Sequence, residues 1–455
     1  MTSAGVAVDT STGTTFDTVV HATTMGDVLR RHLVGRADGA EVIGCRVARY
    51  RHRPGVRCLV QYDVRVRDAA GREADLRVTG QWHAEQGRSD ALYRRLAAAA
   101  EAAALHWSAA LPPVFFDRPT AMIATTFPWD RRMPSLPDVA SGRSPDLLAP
   151  MLAWMDAPAA SLAGVVVETV RYREQLNAVC RYAVRTRLGP SQWQESRFFA
   201  KAYVDDGGAH AAAILAVLGA ATPAGAGSAR VHRALAYVER LRTLVLADTP
   251  GVALDRMALD QPREVALTLA RVATALARFG QLAVRLDRQR PPADRPASLD
   301  RSCSALAAAL PERALELTAA RTRATATPVS GQVGPTHGDV KLEHVFVDGP
   351  EVFLIDLDSC HLGDPLWDLA LLQARWWAAR DASVEQRALR DWGWQALQAA
   401  YLAHAAADGA RRLPPLQAMA LLDVAAGITK RREPDWTTRA GRIVDAARDA
   451  GGAFA

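Results

Sequence analysis

Thr336-His337-Gly338-Asp339-Val340-Lys341-Leu342-Glu343-His344, then Leu354-Ile355-Asp356-Leu357-Asp358, then Gly363-Asp364-Pro365-Leu366-Trp367-Asp368-Leu369-Ala370, is the stretch on which the reading of this 455-residue chain turns. Between the first two blocks the apolar runs Val345-Phe346-Val347 and Val352-Phe353-Leu354-Ile355 flank a turn signal, Asp348-Gly349-Pro350, and should pair as a hairpin. That hairpin brings Asp339 and Asp356 together. One carboxylate can orient and deprotonate an attacking hydroxyl while the other binds a metal ion bridging nucleotide phosphates, the division of labour phosphoryl transfer requires. An isolated His-Gly-Asp is a common turn, so the ordered succession of three blocks carries the reading.

Over residues 336–370 the blocks resemble the catalytic core of the aminoglycoside phosphotransferase and choline kinase superfamily, relatives of protein kinases. The resemblance implies Asp339 as the residue that takes the acceptor proton, Asp356 as a Mg2+ ligand and ATP (or GTP) as phosphoryl donor. The family usually has Asn or Gln as a second metal ligand at the fifth position after the catalytic Asp, where this chain has His344. Imidazole suits softer ions than Mg2+, which brings Mn2+ into consideration. Asp364, before Pro365 and an apolar helical segment, reads as a cap, and Asp368 as a brace behind the catalytic loop. His337 reads as loop support.

Lysine usage adds an independent signal. Lys and Arg total 55, and Lys201, Lys341 and Lys430 are the only lysines, so the remaining 52 are arginines. Lys201 lies in the strand-like run Phe198-Phe199-Ala200-Lys201-Ala202-Tyr203 and resembles the family's phosphate-contacting strand lysine. Lys341, two residues past Asp339, resembles the lysine that protein kinases place beside the transferring group, where a compact ammonium suits the task. Lys430, beside Arg431 and Arg432, reads as surface charge. The helix expected around Gly208 to Leu218 contains no Glu to pair with Lys201, and His210 is a weak substitute.

Alternating Val/Arg segments from Val42 to Val78, after a short helix at Thr24 to Leu33, read as strands of a small lobe. At a constant offset of 120, Tyr62, Val64, Arg65, Arg67 and Gly87 correspond to Tyr182, Val184, Arg185, Arg187 and Gly207, which sets Gln81 opposite Lys201. Arg49-Tyr50-Arg51 would match Arg171-Tyr172-Arg173 if the first hairpin were two residues longer. The expected fold is α+β, a two-lobed protein-kinase-like fold with an additional, duplicated β-rich domain. Residues 1–150 would form a cap resembling a small lobe without the Lys, 151–250 the kinase-like small lobe, and 251–455 a helical large lobe. Pro134 to Pro150 would link the two sheets. The strand Leu241 to Ala247, ending at Pro250-Gly251, resembles an interlobe hinge, with the backbone of Leu246 and Ala247 expected to hold adenine.

Composition excludes other classes. A net charge of only +6, with no Lys/Arg block interleaved with aromatics, does not indicate nucleic-acid binding. No apolar run of about 18 residues marks a membrane span, and Met1 to Asp17 lacks a basic region leading into an apolar one, so a cytoplasmic protein is expected. Five scattered cysteines read as reduced thiols. Nothing in the sequence sets an oligomeric state. The functional expectation is a kinase moving a γ-phosphoryl group to a hydroxyl of a sugar, amino alcohol or antibiotic-like acceptor. The alternative is a nucleotide-binding pseudokinase serving as a scaffold, suggested by His344 and the missing Glu. From Leu371 to Ala455 twelve Lys/Arg stand against nine Asp/Glu, which favours a neutral or anionic acceptor over a polycation.

Overall fold

The computed structural model describes residues 22–450 apart from 35–38, 54–55, 84–86, 103–109, 223–226, 258–261, 292–294, 327–331, 380–383 and 432–434. The Met1 to Asp17 segment and the side chain of Lys430 lie outside the described residues.

Two antiparallel five-stranded sheets share one topology. The first holds β1 (Glu41–Arg53), β2 (Arg57–Arg67), β3 (Glu73–His83), β4 (Val114–Asp117) and β5 (Met122–Thr126) in the order β1-β2-β3-β5-β4. The second holds β6 (Leu162–Arg173), β7 (Asn177–Arg187), β8 (Trp193–Tyr203), β10 (Ala234–Val238) and β11 (Thr243–Ala247) in the order β6-β7-β8-β11-β10. In both, a helix follows the third strand, Arg88–Ala102 in one and Gly207–Ala221 in the other. Period-2 patterning puts Tyr62 and Tyr182, 120 positions apart, fully inside their respective cores.

The registers make the duplication explicit. Arg53 pairs with Arg57 and Arg173 with Asn177, and irregularities fall between Val42 and Gly44 in one sheet and between Leu162 and Gly164 in the other. The two hairpins are therefore equal in length. Arg51 corresponds to Arg171 by pairing, opposite Leu59 and Val179, so the Arg-Tyr-Arg match proposed from sequence stands two residues out of register. Gln81, paired with Leu59 and Ile123, occupies the place of Lys201, paired with Val179 and Leu244.

Residues 134–150 lie between the two sheets in the chain, where a linker was expected, and they are largely helical. Helices Leu136–Ser141 and Pro145–Trp154 form there, each with Pro in its first turn, where the missing N–H costs nothing. Leu136, Val139, Leu147 and Met151 pack with Tyr182, Phe198 and Val245 in the core of the second sheet.

Below this sheet, β9 (Ala229–Val231), β12 (Val252–Ala253), β14 (Val345–Asp348) and β15 (Glu351–Leu354) form a small sheet ordered β12-β14-β15-β9. The expected motif hairpin is β14-β15, pairing Val345 with Leu354. A two-stranded ribbon, β13 (Gly334–Thr336) with β16 (His361–Gly363), lies beside it. Helices Pro262–Phe279, Leu366–Ala378 and Gly409–Arg431 bury the large apolar core around these ribbons. The whole is a two-lobed protein-kinase-like fold carrying an additional N-terminal copy of the small-lobe sheet.

Candidate active site

The catalytic-loop candidate is shaped from behind. Both carboxylate oxygens of Asp368 accept backbone amides, His337 N–H at 2.6 Å and Gly338 N–H at 2.9 Å. Gly338 sits at φ +77°, and a Cβ there would stand 2.7 Å from the Ser359 carbonyl oxygen, so only glycine fits. His337 donates through Nε2 to the Ile355 carbonyl at 2.9 Å, tying the two motif loops together. Asp364 accepts the Leu366 amide at 3.1 Å and is ion-paired with buried Arg412.

At the other end of the hairpin Asp356 is in the left-handed region, φ +60°, a strained conformation for a non-glycine residue. Its carboxylate faces the second sheet. Lys201 Nζ lies 2.5 Å from Asp356 Oδ1 and 2.7 Å from Asp358 Oδ2. Burial works against the ammonium, yet the two carboxylates hold its pKa above the usual lysine value. Burial raises Asp356, but the charge and hydrogen bond of Lys201 together with the neighbouring His344 and His337 outweigh it and hold the carboxyl well below the usual carboxylate range. Tyr203 donates to Asp358 at 3.0 Å. The helix Gly207–Ala221 carries no acid, as expected, so aspartates of the motif segment take the place of a helix glutamate.

Asp339 is flanked by two cations, Lys341 Nζ at 3.1 Å and Arg375 at 2.5 Å. Arg375 was not singled out from sequence. It projects from the helix Leu366–Ala378, two turns past Asp368, and one arginine among 52 gives no signal of its own.

Asp339, His344 and Asp356 each offer a ligand atom, all within 4.8 Å of one another. His344 Nδ1 lies 3.1 Å from the Asp339 carbonyl oxygen, which can only accept, so we assign the ring proton to Nδ1. Burial pushes the imidazole down to about 3, which leaves it neutral and Nε2 unprotonated. That bare nitrogen stands 3.5 Å from Asp356 Oδ2. Two lone pairs facing each other repel unless a cation lies between them, so the donor set fits a divalent metal ion.

The backbone expected to receive adenine is already engaged. Leu246 pairs with Phe199 on one side and Ala234 on the other. The Ala247 amide donates to Arg233 O at 3.0 Å, and its carbonyl accepts from His232 Nε2 at 2.6 Å. Leu246 and Ala247 therefore present no free backbone edge, a correction to the sequence reading. Strand pairing accounts for Leu246, and buried His232, invisible to hinge patterning, accounts for the Ala247 carbonyl.

A sequence model described as the phosphotransferase enzyme family matches residues 195–406. Solved structures similar to this chain include a choline/ethanolamine kinase family protein from Mesorhizobium loti, 16% identical with TM-score 0.45, covering 70% of this chain and 96% of that one. Another is the GDP complex of wild-type aminoglycoside 2'-phosphotransferase-IIIa, 11% identical with TM-score 0.43, covering 67% and 99%. A third is a choline kinase from Streptococcus pneumoniae, 12% identical with TM-score 0.42, covering 66% and 97%. No curated protein matches the chain by sequence. Residues 195–406, a little under half of the chain, are thus similar to the phosphotransferase enzyme family, in keeping with the resemblance of the motif segment to aminoglycoside phosphotransferases and choline kinases.

Proposed function

We propose that this protein is a small-molecule kinase that moves the γ-phosphoryl group of ATP or GTP to a hydroxyl of a neutral or anionic acceptor. The observation that carries the acceptor class is the pair of cations, Lys341 and Arg375, on either side of Asp339. A polycationic aminoglycoside brought to Asp339 would meet both charges, whereas a sugar or an acidic alcohol would be attracted or indifferent.

In this reading Asp339 orients the acceptor hydroxyl and takes its proton as the oxygen bonds to the γ-phosphorus and the bond to the β,γ-bridging oxygen breaks. Lys341, 3.1 Å from Asp339, offsets charge on the moving group. Lys201 is the phosphate contact, released from Asp356 and Asp358 as nucleotide enters. Asp356 and His344 are the proposed metal ligands. A divalent ion there, Mg2+ or Mn2+, would neutralise charge on the nucleotide phosphates. With Ala247 engaged by Arg233 and His232, and the Thr249 amide donating to Asp248 Oδ1 at 3.0 Å, the adenine contact we propose moves beyond β11 to the Asp248 backbone. The scaffold alternative gains nothing from the missing helix glutamate, because Lys201 has two carboxylate partners.

The test is nucleotide turnover with Mg2+ or Mn2+ across a panel of sugars, hydroxy acids, amino alcohols and aminoglycosides. Turnover with a sugar or hydroxy acid supports the reading. Turnover with aminoglycosides alone overturns the acceptor class, and nucleotide binding without turnover on any acceptor overturns the kinase.

A further inference from the structure

The first sheet has no counterpart of the motif hairpin. In the second sheet Asp356 and Asp358 close over Lys201, but the equivalent position, Gln81, opens onto a cavity of about 380 Å3. That volume suits a small organic ligand. Arg57, Arg88, Arg95, Arg131 and Arg132 line it, and among the described residues no carboxylate does.

Arginine alone means little in this chain, so the contrast within the sheet matters. Towards the other end of the same strands the arginines are matched: Arg46 and Arg77 with Asp63, Arg65 with Asp75, Arg67 with Glu41 and Glu73. Around the cavity, among the described residues, no carboxylate pairs with the guanidinium of Arg57, Arg95, Arg131 or Arg132. Several guanidinium groups converging on one concavity repel each other unless an anion joins them.

A smaller cavity of about 80 Å3 adjoins through Arg57, Arg132 and Gln175 and extends the basic wall with Arg49, Arg51 and Arg173. Its one acid is Glu174, whose carboxyl is pushed up to about 8 by burial and by Asp130, so it carries little charge at neutral pH. Asp130 itself is spent on structure, accepting Tyr172 OH at 2.9 Å and the Gln175 amide at 2.7 Å. Asp130 keeps its charge, but it is a single carboxylate turned towards Tyr172 and Gln175, set against the guanidinium groups of Arg57, Arg95, Arg131 and Arg132.

We infer that this cavity binds a phosphate-bearing small molecule, gripped directly by Arg57, Arg95, Arg131 and Arg132 and without a metal ion. Guanidinium forks match phosphate oxygens bidentately, and their multiplicity suits a dianionic or more highly charged group. The site is the basic counterpart, in the duplicated sheet, of the place where Lys201 stands in the other, and it needs neither Asp339 nor Asp356.

The experiment is isothermal titration of the full chain in EDTA with pyrophosphate, a hexose 6-phosphate and AMP, with the unphosphorylated hexose and adenosine as controls. We expect one-to-one binding of at least one phosphorylated probe, none of its control, and at least a tenfold loss in Arg131→Gln/Arg132→Gln. Arg95→Gln provides a second variant, since all three side chains are at the surface and their loss leaves the cores untouched. Lys201→Ala should bind the same probe unchanged. The preferred probe separates a nucleotide from a sugar phosphate. Absence of binding by every probe, unchanged affinity in both arginine variants, or loss in Lys201→Ala would overturn the assignment. So would a single-stranded oligonucleotide binding more tightly per phosphate than any small probe, which would mark a general polyanion surface.

Discussion

Lys201 and Asp356, 155 positions apart in sequence, meet at 2.5 Å and join the second sheet to the motif hairpin. Breaking a buried ion pair leaves its partner uncompensated, but Asp356 and Asp358 retain some exposure, so the cost is discounted. Lys201→Ala should lower the unfolding free energy by about 1–3 kcal/mol in urea titration. Asp356→Asn in that background should recover part of the loss. Because the folded-state pKa of Asp356 is depressed, this contribution is complete above about pH 4 and is lost only as pH falls towards the folded value. No change in urea midpoint for Lys201→Ala at pH 7 would contradict the pairing.

Two buried imidazoles outside the proposed chemistry should set the acid limb of stability. Burial lowers His232, which donates to Ala247 O, and takes His361, at the ribbon β13-β16, down to about 4. Unfolded histidines take up protons near pH 6.5, so between about 6.5 and 4 the unfolded chain binds more protons than the folded one. Stability contributed by these groups therefore falls as pH drops below about 6.5, by about 1 kcal/mol per pH unit down to about 4 for His361 and in the same direction for His232, offset in part by Glu174, whose raised carboxyl takes up its proton earlier in the folded chain. Denaturation midpoints that stay flat from pH 7 to pH 4.5 would rule this out.

Asp339→Asn should abolish transfer while leaving nucleotide affinity near wild type, since an amide cannot accept the acceptor proton. Arg375→Ala should act more gently. Without its 2.5 Å contact Asp339 is held by Lys341 alone, and kcat should drop about 10- to 100-fold through lost orientation. Turnover kinetics and nucleotide dissociation constants measured on both variants separate the roles. Near-normal turnover in Asp339→Asn would remove that residue from the base position.

The motif segment was legible because its chemistry is local: the hairpin and the acids at its two ends fall within 336–370. The duplicated sheet was legible too, since strand periodicity keeps Tyr62 and Tyr182, or Gln81 and Lys201, at one offset. What escaped depends on contacts remote in sequence. Arg375 reaches Asp339 only because one helix crosses behind the loop. His232 fills the hinge carbonyl from 15 residues away. The helices at 136–154 were hidden by prolines that read as linker until Leu136 and Leu147 are seen inside a core.

His344→Asn tests the cation site through ion preference. Imidazole nitrogen favours softer ions, so an amide oxygen in its place should keep or improve Mg2+-supported turnover and reduce any advantage of Mn2+. The Nδ1 contact to the Asp339 carbonyl also positions the loop, so a modest stability loss should accompany the change. Collapse of Mg2+ activity in a folded variant would instead give the imidazole a specific role.

Gln81 and Lys201 occupy equivalent register positions in the two sheets, and comparing their alanine variants asks which sheet faces the nucleotide. Lys201→Ala removes a charge-assisted phosphate contact and should weaken nucleotide binding by several kcal/mol at most. Gln81→Ala should do little to nucleotide binding, because an amide has no net charge to set against a triphosphate and the Asp356 carboxylate lies against the other sheet. Nucleotide dissociation constants with Mg2+, taken alongside thermal stability, decide between them. A large loss at Gln81 with none at Lys201 would mean that the first sheet, and not the second, covers the nucleotide.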